Sequence, residues 1–100
     1  MLAFFKKLFQ AKDYKALRVK GATIVDVRSV VEYNQGHIDG SENIPLQQIQ
    51  LHIKKLTDLN SPVILCCASG MRSGKATLIL KSAGIDAHNG GGWMSLNSKL

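Results

Sequence analysis

The residues of this chain best placed to do chemistry are two adjacent cysteines, Cys66 and Cys67, followed by Ala68-Ser69-Gly70-Met71-Arg72-Ser73. A run of β-formers, Val63-Ile64-Leu65, leads into them, and Gly74 to Lys81 reads as a helix behind them. A strand, a short loop and a helix start gather backbone N–H groups around one point, and the helix dipole adds positive potential there. A cysteine in that loop is expected to ionise more readily than a free thiol, whose pKa is about 8.5, and so to act as a sulfur nucleophile. The competing reading is a strand-end cysteine packed as a small hydrophobe. Arg72 closes the loop. Its guanidinium can fork two donors onto an oxyanion, or it can hold the loop by binding Asp26 or Glu32.

These residues need elements to position them. Thr23-Ile24-Val25-Asp26-Val27 reads as a buried strand, β-branched and almost continuous. Asp26 and Arg28 then fall at the carboxyl end of a strand, the end at which ligands bind in open α/β sheets. Asp13 can cap a helix from Tyr14 to Lys20 that stops at Gly21, and Ser29 a short helix through Tyr33 that ends at Gly36. His37 to Pro45 reads as irregular. Leu46, Ile49, Ile53 and Leu56 have helical spacing. Asn60-Ser61-Pro62 is a turn, and the strand it introduces ends at the cysteines. The helix beyond the loop runs to about Ala83 and stops at Gly84. Ile85 to His88 is a short strand, Gly90-Gly91-Gly92 a turn, and Trp93 to Asn97 a last helical piece. Strands alternate with helices, which predicts an α/β domain with a mainly parallel sheet and helices on both faces.

Composition narrows the function classes. The 100 residues suit one domain. The formal net charge of +6 attracts anions. Lysines and arginines are spread along the chain rather than interleaved with aromatics, which argues against nucleic acid. Two adjacent cysteines make no disulfide framework, and an exposed reactive thiol suits a reducing, cytoplasmic setting. His52 and His88 lack the pattern of a zinc site. Residues 1–12 read as an amphipathic helical extension, with Leu2, Phe4, Phe5, Leu8 and Phe9 on one face and Lys6, Lys7 and Gln10 on the other. The segment is too short to span a membrane and lacks the order of a signal peptide. Its apolar face is expected to pack on the body or on a second copy of the chain in a homodimer, rather than on a membrane.

Three stretches carry a resemblance. Asp26-Val27-Arg28, Glu32-Tyr33 and Gly36-His37-Ile38-Asp39-Gly40-Ser41-Glu42-Asn43-Ile44-Pro45 resemble the first signature of the rhodanese-like family. Cys67-Ala68-Ser69-Gly70-Met71-Arg72-Ser73 resembles its active-site loop, and Gly91-Gly92 before Trp93 its C-terminal signature. The three stand in the family's order and cover residues 13–100. Ser41 departs from the family's usual Ala, with little consequence because both are small.

The resemblance implies a single rhodanese-like domain and a sulfurtransferase. A donor such as thiosulfate would pass its sulfane sulfur to Cys67, which would hold it as a persulfide for a thiophilic acceptor, cyanide or a small or protein thiol. No metal or organic cofactor is implied. Ala68, Ser69, Gly70, Met71, Arg72 and Ser73 would surround the anionic donor, through backbone N–H groups, the two serine hydroxyls and the Arg72 fork. Ser73 could instead cap the helix. Asp26, Arg28, Glu32 and His37 would support the loop. His37 reads as a hydrogen-bonded turn residue, because a thiolate already deprotonated needs no base. Trp93 reads as a core plug near the rim of the pocket. Two rivals remain. One is a non-catalytic binding module on the same fold. The other is a cysteine phosphatase or arsenate reductase using Cys66, which is separated from Arg72 by five residues. Adjacent strand residues point to opposite faces, so only one of the two cysteines can crown the loop.

Overall fold

Thr23–Asp26 and Val63–Cys67 lie side by side as parallel strands β1 and β3 at the centre of the domain, with Ile24 opposite Ile64 and Asp26 opposite Cys66. The computed structural model describes residues 12–100. Outer strands β2, Glu42–Asn43, and β4, Ala87–Gly92, complete a four-stranded sheet in the order β2-β1-β3-β4, every pair parallel. The helices are α1 (Tyr14–Val19), α2 (Val30–Gln35), α3 (Ile53–Asp58), α4 (Met71–Ser82) and α5 (Trp93–Asn97), with a 3-10 segment at Leu46–His52. Among the described residues no helix is long and apolar enough to cross a membrane.

Side chains alternate across the sheet and make two cores. Val25, Val63, Leu65 and Cys67 face one layer, packed with Ile49, Leu56, Ala76 and Leu80 from the 3-10 segment, α3 and α4. Ile24, Ile64 and Cys66 face the other, packed with Leu96 and flanked by Tyr14, Leu17 and Trp93 from α1 and α5. Helices therefore cover both faces, as a parallel sheet with continuous apolar strands requires. Each fully buried aliphatic side chain stabilises the fold by about 1.5–3 kcal/mol.

Local chemistry sets the helix ends near the site. Ser29 Oγ accepts the Glu32 N–H at 3.2 Å, and Glu32 Oε1 accepts the Ser29 N–H at 3.1 Å. This capping box starts α2 and fixes the direction of the Glu32 side chain. Asp13 caps α1 through the Ala16 N–H.

Four boundaries differ from the sequence reading. The segment from Leu46 begins as a 3-10 turn and becomes α-helical only at Ile53. Apolar steps of three and four residues fit both geometries. β2 falls in the stretch read as irregular, being too short for periodicity to show. α4 starts at Met71, so Arg72 and Ser73 lie in its first turn, and Gly70, at a left-handed φ of 101°, takes the cap position for which Ser73 was a candidate. The last strand is Ala87–Gly92, so the three glycines are strand rather than turn. Leu65 pairs with Asn89 and Cys66 with Gly91, which leaves Gly90 as the extra residue of a bulge. Close packing explains the glycine there: a Cβ on Gly90 would stand 2.8 Å from Leu96 Cδ2 and 3.0 Å from the Leu65 carbonyl oxygen. The amphipathic extension read over residues 1–12 lies, apart from Lys12, outside the described residues.

Candidate active site

The two cysteines end β3 on opposite faces. Cys66 is fully buried against Ala22, Ile24, Ile64 and Leu96. Burial, followed by the nearby Asp26 charge, pushes its thiol up to about 12. It is an inert core residue, as alternation along the strand predicts.

Cys67 lies at the mouth of the loop. Its Sγ accepts the Gly70 N–H at 3.0 Å and the Ser73 N–H at 3.4 Å, and sits 3.3 Å from Ser73 Oγ. Burial pushes this thiol up. Hydrogen bonds from Ser73, Gly70 and Ser69 together outweigh that push and hold it below its ordinary value. The loop so encloses the residue that it is only 1% exposed, less than a loop-facing thiol suggests. Met71, by contrast, directs its side chain into solvent at 73% exposure.

Arg72 does not aim an idle fork at the loop. Its Nη1 donates to Glu32 Oε1 at 2.7 Å and its Nη2 to Glu32 Oε2 at 3.0 Å. Arg72, and after it Ser29, hold the Glu32 carboxyl down at about 2. The start of α4 is thus tied to the start of α2, and of the two carboxylates open to Arg72 in the sequence, Glu32 takes the pair.

Asp26 and Arg28 form a buried pair beneath this tie. Asp26 Oδ1 accepts the Arg28 backbone N–H at 3.0 Å, and Oδ2 accepts Arg28 Nη2 at 2.7 Å. Arg28 Nη2 also donates to the Gly36 carbonyl at 2.7 Å. The hydrogen bond to Asp26 holds the guanidinium protonated against its own burial. Arg28 further stacks 4.9 Å from the Trp93 ring centroid, a cation–π contact. Breaking so enclosed a pair would cost about 3–5 kcal/mol. His37 lies in parallel stack on Tyr33, ring centroids 3.7 Å apart, with Nδ1 2.7 Å from the Tyr33 carbonyl. It is a turn histidine, without a bond to the sulfur.

A groove of about 410 Å³ opens beside the loop at Ala68, walled by Arg28, Glu32, Trp93 and Met94. Trp93 is therefore both a packing residue of the second core and a wall of this groove. A smaller depression of about 310 Å³, around Pro62 and Ile85, lies at the opposite end of β3. The residue that sequence reasoning missed is Asn89. Its Oδ1 accepts the Ser73 hydroxyl at 2.7 Å, and its Nδ2 donates to the Gly70 carbonyl at 3.1 Å. A single asparagine before a glycine run carries no pattern that would have singled it out.

Comparison with known proteins agrees with this geometry. The rhodanese-like domain family model matches residues 5–98. The chain is 39% identical over 70 residues to the thiosulfate sulfurtransferase GlpE of Pseudomonas fluorescens, a match covering 70% of this chain and 63% of that protein, just under two thirds of its length. It is 37% identical over 70 residues to the thiosulfate sulfurtransferase PspE of Escherichia coli, covering 68% of this chain and 67% of the relative. Among solved structures, a rhodanese with anions from E. coli superposes with a TM-score of 0.68 at 34% identity, over 74% of this chain and 89% of that one. The chain belongs to the rhodanese-like domain family.

Proposed function

We propose that this chain is a rhodanese-type sulfurtransferase working through a persulfide on Cys67. The observation that carries the reading is the convergence of the Gly70 and Ser73 N–H groups on Cys67 Sγ. Relatives named thiosulfate sulfurtransferase support it. The thiolate attacks the sulfane sulfur of a small anionic donor such as thiosulfate. The new S–S bond forms as the old one breaks, sulfite leaves with its electron pair, and the negative charge passes to the outer sulfur of the persulfide. A thiophilic acceptor, cyanide or a thiolate, then attacks that outer sulfur and returns Cys67 as thiolate. Both half-reactions keep the anion inside the same ring of donors, so electrostatic stabilisation is preorganised. The transfer needs neither metal nor organic cofactor, and the chain's positive charge draws the anionic donor in. A free thiolate of this kind suits a reducing, cytoplasmic compartment.

The test is intact mass after incubation with thiosulfate. One added sulfur, lost on cyanide treatment and absent from Cys67→Ser, is the expected result. A folded protein that gains no sulfur would overturn the reading and leave a binding module on the same fold.

A further inference from the structure

We propose that Asn89 is a positioning residue for the Cys67 sulfur, its side-chain amide holding in place both Gly70 and Ser73, two residues that donate to Sγ. The inference rests on the sulfurtransferase reading for its meaning in turnover, but on geometry for its substance. Asn89 sits on β4, across the loop from α4. Nδ2 donates to the Gly70 carbonyl at 3.1 Å, while Oδ1 accepts the Gly91 N–H at 3.0 Å and the Ser73 hydroxyl at 2.7 Å. These partners fix the amide's orientation, since a flipped amide would set its NH₂ against the Gly91 N–H and its oxygen against the Gly70 carbonyl. One side chain thus grips the two ends of the turn that wraps the sulfur.

Two further features fit this role. Gly74 lies inside α4, where glycine is a poor helix residue. A Cβ there would stand 3.3 Å from Asn89 Nδ2, so the glycine leaves room for the amide. On the strand side, the Tyr14 hydroxyl donates to the Asn89 carbonyl at 3.0 Å and anchors the backbone independently of the side chain. Of the titratable groups near the sulfur, Cys66 lies on the other face of β3 and Arg72 on α4, with Asp26 and Arg28 at the end of β1 and Glu32 on α2 behind Arg72. From β4 the group presented is the uncharged Asn89. Loss of its grip therefore changes the donor geometry at the sulfur without changing any charge nearby.

The experiment is the pH dependence of Cys67 alkylation by iodoacetamide, followed by peptide mapping, in Asn89→Ala, Asn89→Leu, Tyr14→Phe and the parent chain. Alkylation needs no sulfur donor. A chain inert to thiosulfate would thus count against sulfur transfer, while the pH profile alone judges the clamp. Both Asn89 variants are expected to shift the profile to higher pH, with alkylation below the apparent pKa slowed about threefold to tenfold, the effect of one weakened hydrogen bond to a charged group. Tyr14→Phe is expected to leave the profile in place. An unchanged profile in the Asn89 variants would overturn the proposal. A shift to lower pH would do so too, by showing that Asn89 competes with the sulfur for the Ser73 hydrogen. An equal shift in Tyr14→Phe, or loss of folding in both Asn89 variants, would make the effect one of strand β4 as a whole and overturn it as well.

Discussion

The Glu32 carboxylate is shared between two helix starts: Oε1 accepts the Ser29 backbone N–H at 3.1 Å and Arg72 Nη1 at 2.7 Å. One side chain thus completes the capping box of α2 and occupies the arginine at the loop of α4. On the proposed reaction, a donor dianion arriving at the loop would meet an arginine already paired with a carboxylate.

This arrangement gives a prediction with a counterintuitive sign. Glu32→Gln keeps the capping box, because glutamine accepts the same N–H. It removes a negative charge near the loop and loosens the Arg72 fork. The expected outcome is a KM for thiosulfate lowered severalfold with the fold intact, read from initial rates against donor concentration. A raised KM would show that Arg72 serves the donor only when Glu32 orients it. Arg72→Lys keeps the charge but loses the two-pronged contact, and should raise KM while barely moving the melting temperature, since the pair is half-exposed.

The two cysteines separate cleanly. Cys66→Ala should retain persulfide formation and cost about 1 kcal/mol or somewhat more in stability, as small core truncations do, measured by denaturant unfolding. Cys67→Ser should abolish the cyanide-labile sulfur while unfolding at a similar denaturant concentration.

The pH dependence of stability carries the same contrast. Cys66 is raised to about 12 in the fold. Unfolding releases its proton more easily, so its contribution is full below the free-thiol pKa and is lost as pH climbs from there toward 12. Cys67 is lowered in the fold. Its contribution is present above the free-thiol pKa and is lost as pH falls through the folded value. Cys66→Ala should therefore flatten the alkaline fall in stability, and Cys67→Ser should not, as thermal melts across alkaline pH would show.

Backbone space at the loop yields another test. Gly70 has φ 101°, and a Cβ there would approach Gly91 Cα at 3.3 Å. Gly70→Val should reduce persulfide formation more than it lowers the melting temperature, because the strain falls on the residue whose N–H meets the sulfur. Gly92→Ala should act from the other side, since its Cβ would stand 2.8 Å from the Ala68 carbonyl oxygen. Equal rates in either variant would show that the loop yields at no cost to the reaction.

Much of this architecture was legible in the chain. The two central strands announce themselves by unbroken apolar runs, the cysteines by standing at the end of one of them, and α2 by a serine at its start and a glycine just past its end. Less legible were features that depend on partners distant in sequence. Gly90 to Gly92 look like a turn because a glycine run is a turn signal. For Gly90 and Gly92 the actual reason, contact with Leu65, Leu96 and Ala68, exists only once the sheet has formed, and Gly91 is held at a left-handed φ of 81°. Ser73 reads either as a hydroxyl donor to the anion or as a helix cap; Gly70 holds the cap position, and the Ser73 hydroxyl is left to donate to Asn89. Whether Arg72 would bind a carboxylate or a substrate depended on where α2 would lie, forty residues away along the chain.

The opposite facing of Cys66 and Cys67 has a consequence for how a sulfur could leave. They are the chain's two cysteines, both free, and they lie in different layers of the sheet. Neighbouring strand residues stand about 3.8 Å apart at Cα, closer than a relaxed disulfide spans, with their side chains diverging. Cys66 therefore cannot act as a resolving thiol that attacks a persulfide next door. On the proposed mechanism, a sulfur taken up by Cys67 would stay parked until an external nucleophile arrived, so loading and unloading would be separate encounters that can involve unrelated molecules at different times.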